Sequence, residues 1–515
     1  METMQIRLTK EMIKEIKVLV KKGIYPNTSE AVRDSVRRLL GIKDEIVEIS
    51  LKRDASESKE FKAEEKKLEE IDKELEKELK EEKAPSNEVE KAKEKLDSEV
   101  KKQFQAVRGT EDYYPEEMAA RNNVFGAMKK SARAFGFEEV DTPIVEDLDL
   151  LRKKQGEEIV NQIFVLDKKG DEELALRAEF TPSLARMFIA KQKAMPKPVK
   201  WFCINRVFRY ERPQQGRQRE FFQFNVEIYG SSNPEADSEI INLAIDTLKE
   251  LGLTDKDFFV KVNNRKLIQG LLLEIVSEKQ IDDVMRAIDK IKNLTEQDFE
   301  AELTKAGLNK KQADDVTKLF ETKIENIKPR SELAKEGMKE LLDVLKFTDT
   351  NIVEVDLSTV RGLAYYTGTV FEIFDTDEKF RSIAGGGRYD NMIKLFNGED
   401  TPATGFGMGY STLRLLLEYK KIMPKPDLGP DYYIAIVGDE PREKAFAIAN
   451  ELRKKHKVDI DLSRRNLKNQ LNYANKIRAK KVIFIGSDEI KAGKLKIKDL
   501  ESGNEEVVDI ESFIS

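Results

Sequence analysis

Cysteine and histidine are almost absent from this 515-residue chain, which contains one of each, Cys203 and His456. We therefore exclude intramolecular disulfides, zinc sites built from cysteine and histidine, and Ser-His-Asp or Cys-His catalysis. His456 lies in the string LRKKHKV, where we expect an exposed side chain near the end of a helix. Any chemistry must consequently use arginine, lysine, carboxylates, tyrosine and a bound hard cation.

Long apolar runs are also missing. No stretch of about 18 apolar residues occurs, and the N-terminal string METMQIRLTKEMIK has no apolar core. We therefore expect a cytoplasmic protein with no membrane partner. Charged residues make up 37% of the chain and the net charge is −6, which argues against a general attraction to nucleic acid but leaves a local basic face open.

Residues 1–43 have the pattern of a strand followed by two helices. Apolar residues at positions 4, 6 and 8 alternate with Gln5 and Arg7, and helical patterns lie on both sides of Gly23. The unit resembles the ribbon-helix-helix family, which implies two paired chains whose ribbon enters a DNA major groove. Gln5, Arg7 and Thr9 would then read bases. The alternative is a unit that only pairs subunits.

Residues 44–103 are dominated by lysine and glutamate. A thin apolar seam at helical spacing is interrupted at Pro85 and then resumes. This pattern predicts two helices in a charged linker, arranged either as a coiled-coil hairpin or as a semi-rigid spacer.

Residues 104–428 have the glycine, aromatic and β-branched content of an enzyme domain. A helical section from about 267 to 345 separates two strand-rich parts, and we interpret it as an insertion. Residues 429–515 alternate strand and helix patterns, which predicts a small α/β domain with a mixed or parallel sheet. The chain as a whole is expected to be α+β.

The densest polar cluster is FRYERPQQGRQREFFQFNVE, residues 208–227. It predicts two strands joined by an arginine-rich loop at Pro213 and Gly216. Converging guanidinium groups suit the oxygens of a polyphosphate. Composition alone leaves phosphate binding and a surface hairpin equally open.

This cluster resembles the second signature motif of class II aminoacyl-tRNA synthetases, in the form found in histidyl-tRNA synthetases. Four further strings strengthen the resemblance, which runs from about residue 104 to 515. They are RGTEDYYPEE (108–117), LRAEFTPSLAR (176–186), VRGLAYYTGTVFE (360–372) and AGGGRYD (384–390). The resemblance implies an antiparallel-sheet catalytic domain, a C-terminal anticodon-binding domain and a homodimer formed through the first string.

The resemblance also implies roles for single residues. Arg209 would contact the α-phosphate of ATP, Glu211 the adenine amino group and Arg217 the γ-phosphate. Arg361 would lie against the α-phosphate, where other class II enzymes use a metal ion, so no protein metal site is expected. The residues implied in histidine binding are Glu179, Thr181, Gln223, Glu227, Tyr366 and Tyr389.

The implied chemistry joins the histidine carboxylate to the α-phosphorus of ATP, and tRNA(His) then attacks the adenylate. Positioned arginines and substrate-associated Mg²⁺ stabilise the charge of the transition state without an enzyme nucleophile. The tail would contact the tRNA anticodon near the start of a helix. The residues expected there are Arg464, Arg465, Asn466, Lys468 and Gln470.

Two departures from the family pattern keep other functions open. Ser411 and Thr412 stand where the third class II motif has Glu and Arg, and Arg414 lies about 200° around the helix from Thr412. Ala364 replaces an Asp. A catalytically impaired paralogue, like the regulatory subunit of ATP phosphoribosyltransferase, is therefore the alternative, together with a DNA-binding regulator that acts through residues 1–43.

Overall fold

The computed structural model describes residues 105–514, apart from short gaps at 156–159, 169, 292–293, 350, 362–364 and 426–427. The predicted N-terminal unit with Gln5 and Arg7, the charged linker and Ala364 all lie outside the described residues. Within them, no helix combines the length and apolar character needed to cross a membrane.

Residues 107–428 combine a large sheet with many helices. The helices are α1 (Pro115–Ala134), α2 (Leu148–Gln155), α3 (Thr181–Lys191), α4 (Pro234–Glu250), α5 (Arg265–Leu273), α6 (Ile281–Asp289), α7 (Glu296–Lys305), α8 (Lys310–Glu321), α9 (Glu332–Lys346), α10 (Met392–Leu395) and α11 (Tyr410–Tyr419). The strands are β1 (Glu138–Glu139), β2 (Val145–Asp147), β3 (Leu174–Leu176), β4 (Val199–Phe208), β5 (Glu220–Tyr229), β6 (Phe258–Asn264), β7 (Val353–Val355), β8 (Thr369–Asp375), β9 (Ala384–Arg388) and β10 (Ala403–Gly409). Short 3-10 helices lie at Glu278–Gln280 and Ile324–Asn326.

The described strands of the large sheet have the order β1-β4-β5-β10-β9-β8-β6-β7. The central pairs, from β4·β5 to β8·β6, are antiparallel, whereas β1 and β7 add parallel edges. Strands β2 and β3 form a separate antiparallel pair. The antiparallel sheet expected for the catalytic domain is therefore confirmed.

The two faces of the large sheet carry different layers because successive strand residues point in opposite directions. Phe224 and Val226 of β5 pack into the core that α1 and α4 cover. Trp201 and Tyr229 belong to a second core on the other face, where Phe188 of α3 stacks on Tyr229 with ring centroids 4.5 Å apart. The polar residues Gln223, Asn225 and Glu227 of β5 alternate with Phe224 and Val226 and therefore lie on the second face.

Helices α5 to α9 occupy the stretch where the sequence predicts a helical insertion. A Cβ atom at Gly270 would lie 2.4 Å from the backbone nitrogen of Ala334, and one at Gly337 would lie 2.2 Å from that of Leu267. These two glycines therefore allow α5 and α9 to cross with their backbones in contact. Leu267 and Leu341 join the core of the large sheet, so the helical section is packed onto it.

The tail forms a second sheet. Its elements are β11 (Tyr432–Ile436), α12 (Arg442–Leu452), β12 (Val458–Ile460), α13 (Leu467–Lys476), β13 (Lys481–Ile485), α14 (Ser487–Ala492), β14 (Lys494–Asp499), β15 (Glu505–Asp509) and α15 (Ile510–Ile514). The order β12-β11-β13-β14-β15 joins two parallel pairs to two antiparallel pairs. The tail is thus an α/β domain with a mixed sheet, and the α+β class predicted for the chain is confirmed.

Candidate active site

The candidate site lies on the polar face of β5, β10 and β9. Gln223, Asn225 and Glu227 occupy alternate positions of β5, opposite to the face that packs into the helix-covered core. In the sheet register, Glu227 pairs with Gly405 of β10, which in turn pairs with Gly387 of β9. The glycines of the predicted AGGGRYD string therefore lie beside the arginine-rich strand pair.

A cavity of about 250 Å³ opens on this face and is here called the arginine cavity. Its lining comprises Arg209, Glu211, Gly216, Arg217, Gln218, Phe221, Gln223, Arg361, Glu372, Arg381, Ser382, Ile383, Ala384, Gly385, Gly407, Gly409, Ser411 and Thr412. Four of these side chains are guanidinium groups and two are carboxylates, which leaves an excess of two positive charges. A polyanion of nucleotide size would balance that excess.

Arg209 is held at the inner wall of the arginine cavity. Its backbone nitrogen donates to Arg219 O at 2.8 Å, and its side-chain Nε donates to Ala178 O at 3.1 Å. The guanidinium carbon lies 5.3 Å from the centroid of the Phe221 ring. Burial lowers the pKa of Arg209, and the negative charge of Glu179 partly opposes that shift. Glu179 and Arg209, both predicted site residues, are therefore electrostatic neighbours.

The loop between β4 and β5 carries the next two predicted residues. Gln214 and Arg217 exchange backbone hydrogen bonds of 3.0 and 2.9 Å, and Gly216 between them has a positive φ of 72°. Across this turn, Arg217 Nε forms an ion pair with a carboxylate oxygen of Glu211. The turn thus presents a cation and a carboxylate together to the arginine cavity.

Arg361 reaches the same cavity from another segment. It adopts a positive φ of 47°, which is unusual for a residue with a Cβ atom. Its Nη1 donates to Phe371 O at 3.2 Å and lies 3.8 Å from a carboxylate oxygen of Glu372. A Cβ atom at Gly385 would lie 1.4 Å from this Nη1, so the glycine provides the space that the guanidinium occupies.

Two glycines of β10 make room in the same way. A Cβ atom at Gly407 would lie 1.8 Å from Gln223 Nε2. One at Gly405 would lie 2.3 Å from Glu227 Oε2 and 2.5 Å from the hydroxyl of Tyr389. Because glycine has no side chain, the glycines of β9 and β10 leave the space that the polar groups of the site occupy.

A buried polar group adjoins the arginine cavity. We call it the Glu227 cluster, and its members are Thr181, Asn225, Glu227, Tyr366 and Tyr389. Glu227 is 1% exposed, and its Oε1 accepts hydrogen bonds from Thr181 Oγ1 at 2.9 Å and Asn225 Nδ2 at 2.7 Å. Thr181 is the first residue of α3, so the helix start orients this carboxylate.

The tyrosines of the YYTGT string close the Glu227 cluster. The Tyr365 and Tyr366 rings lie 4.5 Å apart with a 3.4 Å hydroxyl-to-hydroxyl hydrogen bond, and Tyr365 lies 5.7 Å from Tyr389. Burial raises the pKa of Tyr365, and the charge of Glu179 raises it further. Arg361 lies 5.8 Å above the Tyr366 ring and thereby joins the cluster to the arginine cavity.

Helix α11 reaches the arginine cavity through Ser411 and Thr412, and Ser411 Oγ donates to Gln218 Oε1 at 2.9 Å. Arg414 instead lines a neighbouring cavity and donates to Glu111 Oε1 and Glu418 Oε1, both at 2.7 Å. The prediction that Arg414 faces away from Thr412 is therefore confirmed.

The predicted anticodon residues do not all share one surface. Arg464 and Lys468 are exposed, and Asn466 caps α13 by accepting from Asn469 N at 2.9 Å. Arg465 donates to Asp461 Oδ1 at 3.2 Å and its guanidinium lies 4.2 Å from the Tyr473 ring centroid.

Gln470 requires a correction, because its side chain is 1% exposed. Its amide accepts from Ile436 N at 2.8 Å and donates to Ile436 O at 2.8 Å and Arg465 O at 2.7 Å. The inference that Gln470 meets a tRNA base is therefore wrong, since its polar atoms already join α13 to the end of β11.

Sequence reasoning missed several residues of the site, among them Asn225, Glu372 and Arg381. Asn225 donates to Glu227, Glu372 lies beside Arg361, and Arg381 lines the arginine cavity. The alternation of β5 could have revealed Asn225, because it shares a face with Gln223 and Glu227. Arg381 lies in no quoted string and gave no such signal, whereas Glu372 ends the string VRGLAYYTGTVFE, and the sheet register brings both segments to the site.

The chain is similar in sequence to known proteins. The family model "Histidyl-tRNA synthetase" matches residues 109–413, and "Anticodon binding domain" matches residues 431–515. A protein named Histidine--tRNA ligase from Natronomonas pharaonis is 41% identical over 419 residues, which is 80% of this chain and 97% of that protein. One of the same name from Pyrococcus abyssi is 39% identical over 426 residues, with 80% and 98% covered.

A solved structure extends the likeness to the fold. The crystal structure of histidyl-tRNA synthetase from Nostoc sp. PCC 7120 has a TM-score of 0.68 at 24% identity and covers 80% of this chain and 98% of that one. The matched family, the two relatives and this fold point to the same conclusion: the chain belongs to the histidyl-tRNA synthetase family.

Proposed function

We infer that the chain is a histidine–tRNA ligase, which activates histidine with ATP and transfers it to the 3′ end of tRNA(His). One observation carries this conclusion beyond family membership. A cavity with two excess positive charges adjoins a buried carboxylate and tyrosine cluster, and Arg361 lies at both. An anionic nucleotide and a small amino acid could therefore meet at one point.

We propose that the arginine cavity binds ATP. Arg209 and Arg361 would contact the α-phosphate and act as the catalytic residues, Glu211 would bind the adenine amino group and Arg217 the γ-phosphate. In this assignment ATP opens the Glu211–Arg217 ion pair, and both side chains turn to the nucleotide. Mg²⁺ would enter with ATP as part of the substrate, bound to the phosphate oxygens.

The Glu227 cluster would bind histidine. Glu227, Tyr366 and Tyr389 would hold the imidazole, while Glu179, Thr181 and Gln223 would hold the α-amino group. Hydrogen-bonding groups in a buried site reject analogues that lack the matching atoms, because these groups would then be left unpaired. Such a site selects histidine over amino acids of similar size that carry no ring nitrogen.

The reaction requires no nucleophile from the protein. A carboxylate oxygen of histidine attacks the α-phosphorus, pyrophosphate leaves, and negative charge builds on the phosphoryl oxygens in the transition state. Guanidinium groups fixed before the reaction stabilise that charge, and losing one such donor costs about 3 kcal/mol. In the second step the tRNA hydroxyl attacks the carbonyl carbon of the adenylate, the bond from this carbon to the phosphate oxygen breaks, and AMP leaves. We propose that a phosphate oxygen of the adenylate accepts the proton.

The remaining proposals concern partners. Arg464, Arg465, Asn466 and Lys468 would contact the tRNA anticodon. The homodimer would form through the segment 108–117. A cytoplasmic location and DNA contact through Gln5 and Arg7 stay predictions, and unchanged duplex affinity in Arg7→Ala would contradict the DNA contact.

Histidine-dependent exchange of labelled pyrophosphate into ATP tests the function directly. We expect the purified chain to catalyse exchange with histidine but not with glutamine or phenylalanine, and to charge tRNA(His). Arg361→Ala should abolish exchange without loss of the fold. Histidine binding without exchange would instead support the regulatory alternative, and unchanged exchange in Arg361→Ala would refute the role of that residue.

A further inference from the structure

The arginine cavity contains a guanidinium group to which no role is assigned above. Arg381 lies in the segment between β8 and β9 and lines the arginine cavity, and its side chain is exposed. Its Nη2 donates to Gln214 Oε1 at 2.9 Å. Gln214 belongs to the turn that also carries Arg217, so this hydrogen bond brings two arginines to the same side of the cavity.

Arg381 differs from the neighbouring arginines in the groups that it contacts. Arg217 pairs with Glu211, and Arg361 lies within 4 Å of Glu372. Arg381 has no carboxylate within 4 Å among the described residues and donates instead to a neutral amide. Burial lowers the pKa of Arg217, and the nearby charge of Arg381 lowers it further. An anion placed between the two guanidinium groups would relieve this repulsion.

Helix α11 shows why a cation from another segment is needed. Thr412 takes the place where the family pattern has an arginine, and its side chain is 7% exposed. Its hydroxyl oxygen lies 3.5 Å from the position that a Cβ atom would have at Gly216, and Leu415 Cδ1 lies 3.4 Å from that position. The turn of the β4–β5 loop therefore packs directly on α11, which leaves little room there for a longer side chain.

We propose that Arg381 binds the terminal phosphate of ATP together with Arg217, and so supplies the cation that α11 lacks. The inference rests on the proposed function, since it assumes that the arginine cavity binds ATP. Arg381 releases Gln214 when the phosphate arrives, because a charged oxygen is a stronger acceptor than a neutral amide. The cation thus comes from the segment before β9 instead of from the helix.

This role predicts that Arg381 contacts the substrate ATP but not the intermediate, histidyl adenylate. The terminal phosphate leaves as part of pyrophosphate, so the histidyl adenylate contains no group for Arg381 to contact. A defect at Arg381 should therefore weaken binding of ATP and pyrophosphate and leave binding of the adenylate unchanged. A residue that only supports the shape of the cavity would affect all three ligands.

The test compares Arg381→Gln with Arg212→Gln. Arg212 is an exposed arginine of the β4–β5 loop and does not line the arginine cavity, so it controls for a change in surface charge. Calorimetry would measure the Kd of ATP in the presence of histidinol, which cannot react, and the Kd of a non-hydrolysable sulfamoyl analogue of histidyl adenylate. Exchange assays would add the KM of pyrophosphate.

We expect Arg381→Gln to raise the Kd of ATP and the KM of pyrophosphate about tenfold, with the Kd of the analogue unchanged. Arg212→Gln should alter none of these constants. Equal weakening of ATP and analogue, or wild-type ATP affinity in Arg381→Gln, would overturn the proposal. If the wild-type chain bound neither ATP nor the analogue, the proposed function itself would fail, and that outcome is distinct from both.

Discussion

The arginine cavity and the Glu227 cluster adjoin each other but are built in opposite ways. In the cavity, the arginines donate hydrogen bonds to backbone carbonyls and a neutral amide and lie beside two carboxylates. Positive charge is in excess there. In the cluster, the Glu227 carboxylate is buried and already oriented by two neutral donors. The comparison indicates that charge provides affinity in the cavity, whereas fixed hydrogen bonds provide selectivity in the cluster.

The largest effect should come from blocking the cavity without touching the cluster. In Gly385→Ala, the new methyl group takes the place of Arg361 Nη1, and the flexible end of that arginine must swing away. We expect the kcat of pyrophosphate exchange to fall about 10² to 10³-fold, equivalent to about 3 kcal/mol, with little change in thermal stability.

A double variant shows whether Gly385→Ala acts through Arg361. If it does, adding Gly385→Ala to Arg361→Ala should cause no further loss of exchange, because the displaced group is already absent. A further loss of tenfold or more would mean that the methyl group obstructs the ligand itself.

A smaller effect, confined to histidine, is expected in the cluster. Glu227→Gln keeps an oxygen that can accept from Thr181 and Asn225 but removes the buried charge. We expect the Kd of histidine to rise about 10- to 100-fold and that of ATP to stay within twofold, as calorimetry would measure. If both constants rose together, the division between cavity and cluster would be wrong.

Tyr389→Phe should weaken histidine binding less. The Tyr389 hydroxyl is buried and has no hydrogen-bond partner among the described residues, so its loss should not lower the free energy of unfolding. We expect the Kd of histidine to rise about 3- to 10-fold, since a neutral hydrogen bond contributes about 1 kcal/mol. A drop in stability with unchanged histidine affinity, measured by denaturant unfolding and calorimetry, would assign the hydroxyl to packing.

The smallest effect is expected in Gly126→Ala, which serves as a control for Gly385→Ala. Gly126 lies in the exposed interior of α1, and a Cβ atom there would meet nothing within 4 Å. Gly126→Ala should therefore stabilise the protein by about 0.5 to 1 kcal/mol and leave exchange unchanged. A loss of exchange in this variant would show that adding a methyl group far from both sites is already harmful.

Much of this arrangement could be predicted from the sequence because local patterns carry it. The alternation in QFNVE places the polar side chains of β5 on one face, and the alternating strands and helices of the tail match its mixed sheet. The helical offset of Arg414 from Thr412 also follows from spacing alone. These features depend on neighbours a few positions apart.

Features that depend on tertiary packing were not predictable. The resemblance to an anticodon-binding domain places Gln470 at the tRNA surface, but this residue lies four positions before the buried Ala474, on the same side of α13. That spacing was the available signal. Arg381 belongs to no motif, and only the pairing of β8, β9 and β10 brings its segment to the cavity. The hydrogen-bond and ion-pair partners of the four arginines likewise come from three segments, namely the residues before α3, the β4–β5 loop and β8.

The glycines at 405 and 407 limit how the amino-acid preference of this fold can be altered by engineering. Every substitution at these positions adds atoms to the site, so they offer no route to a larger substrate. Additional volume must come from shortening a side chain that already fills the pocket, and Tyr366 and Tyr389 are the large side chains there. A library aimed at bulky histidine analogues should therefore vary the two tyrosines and leave the glycines intact.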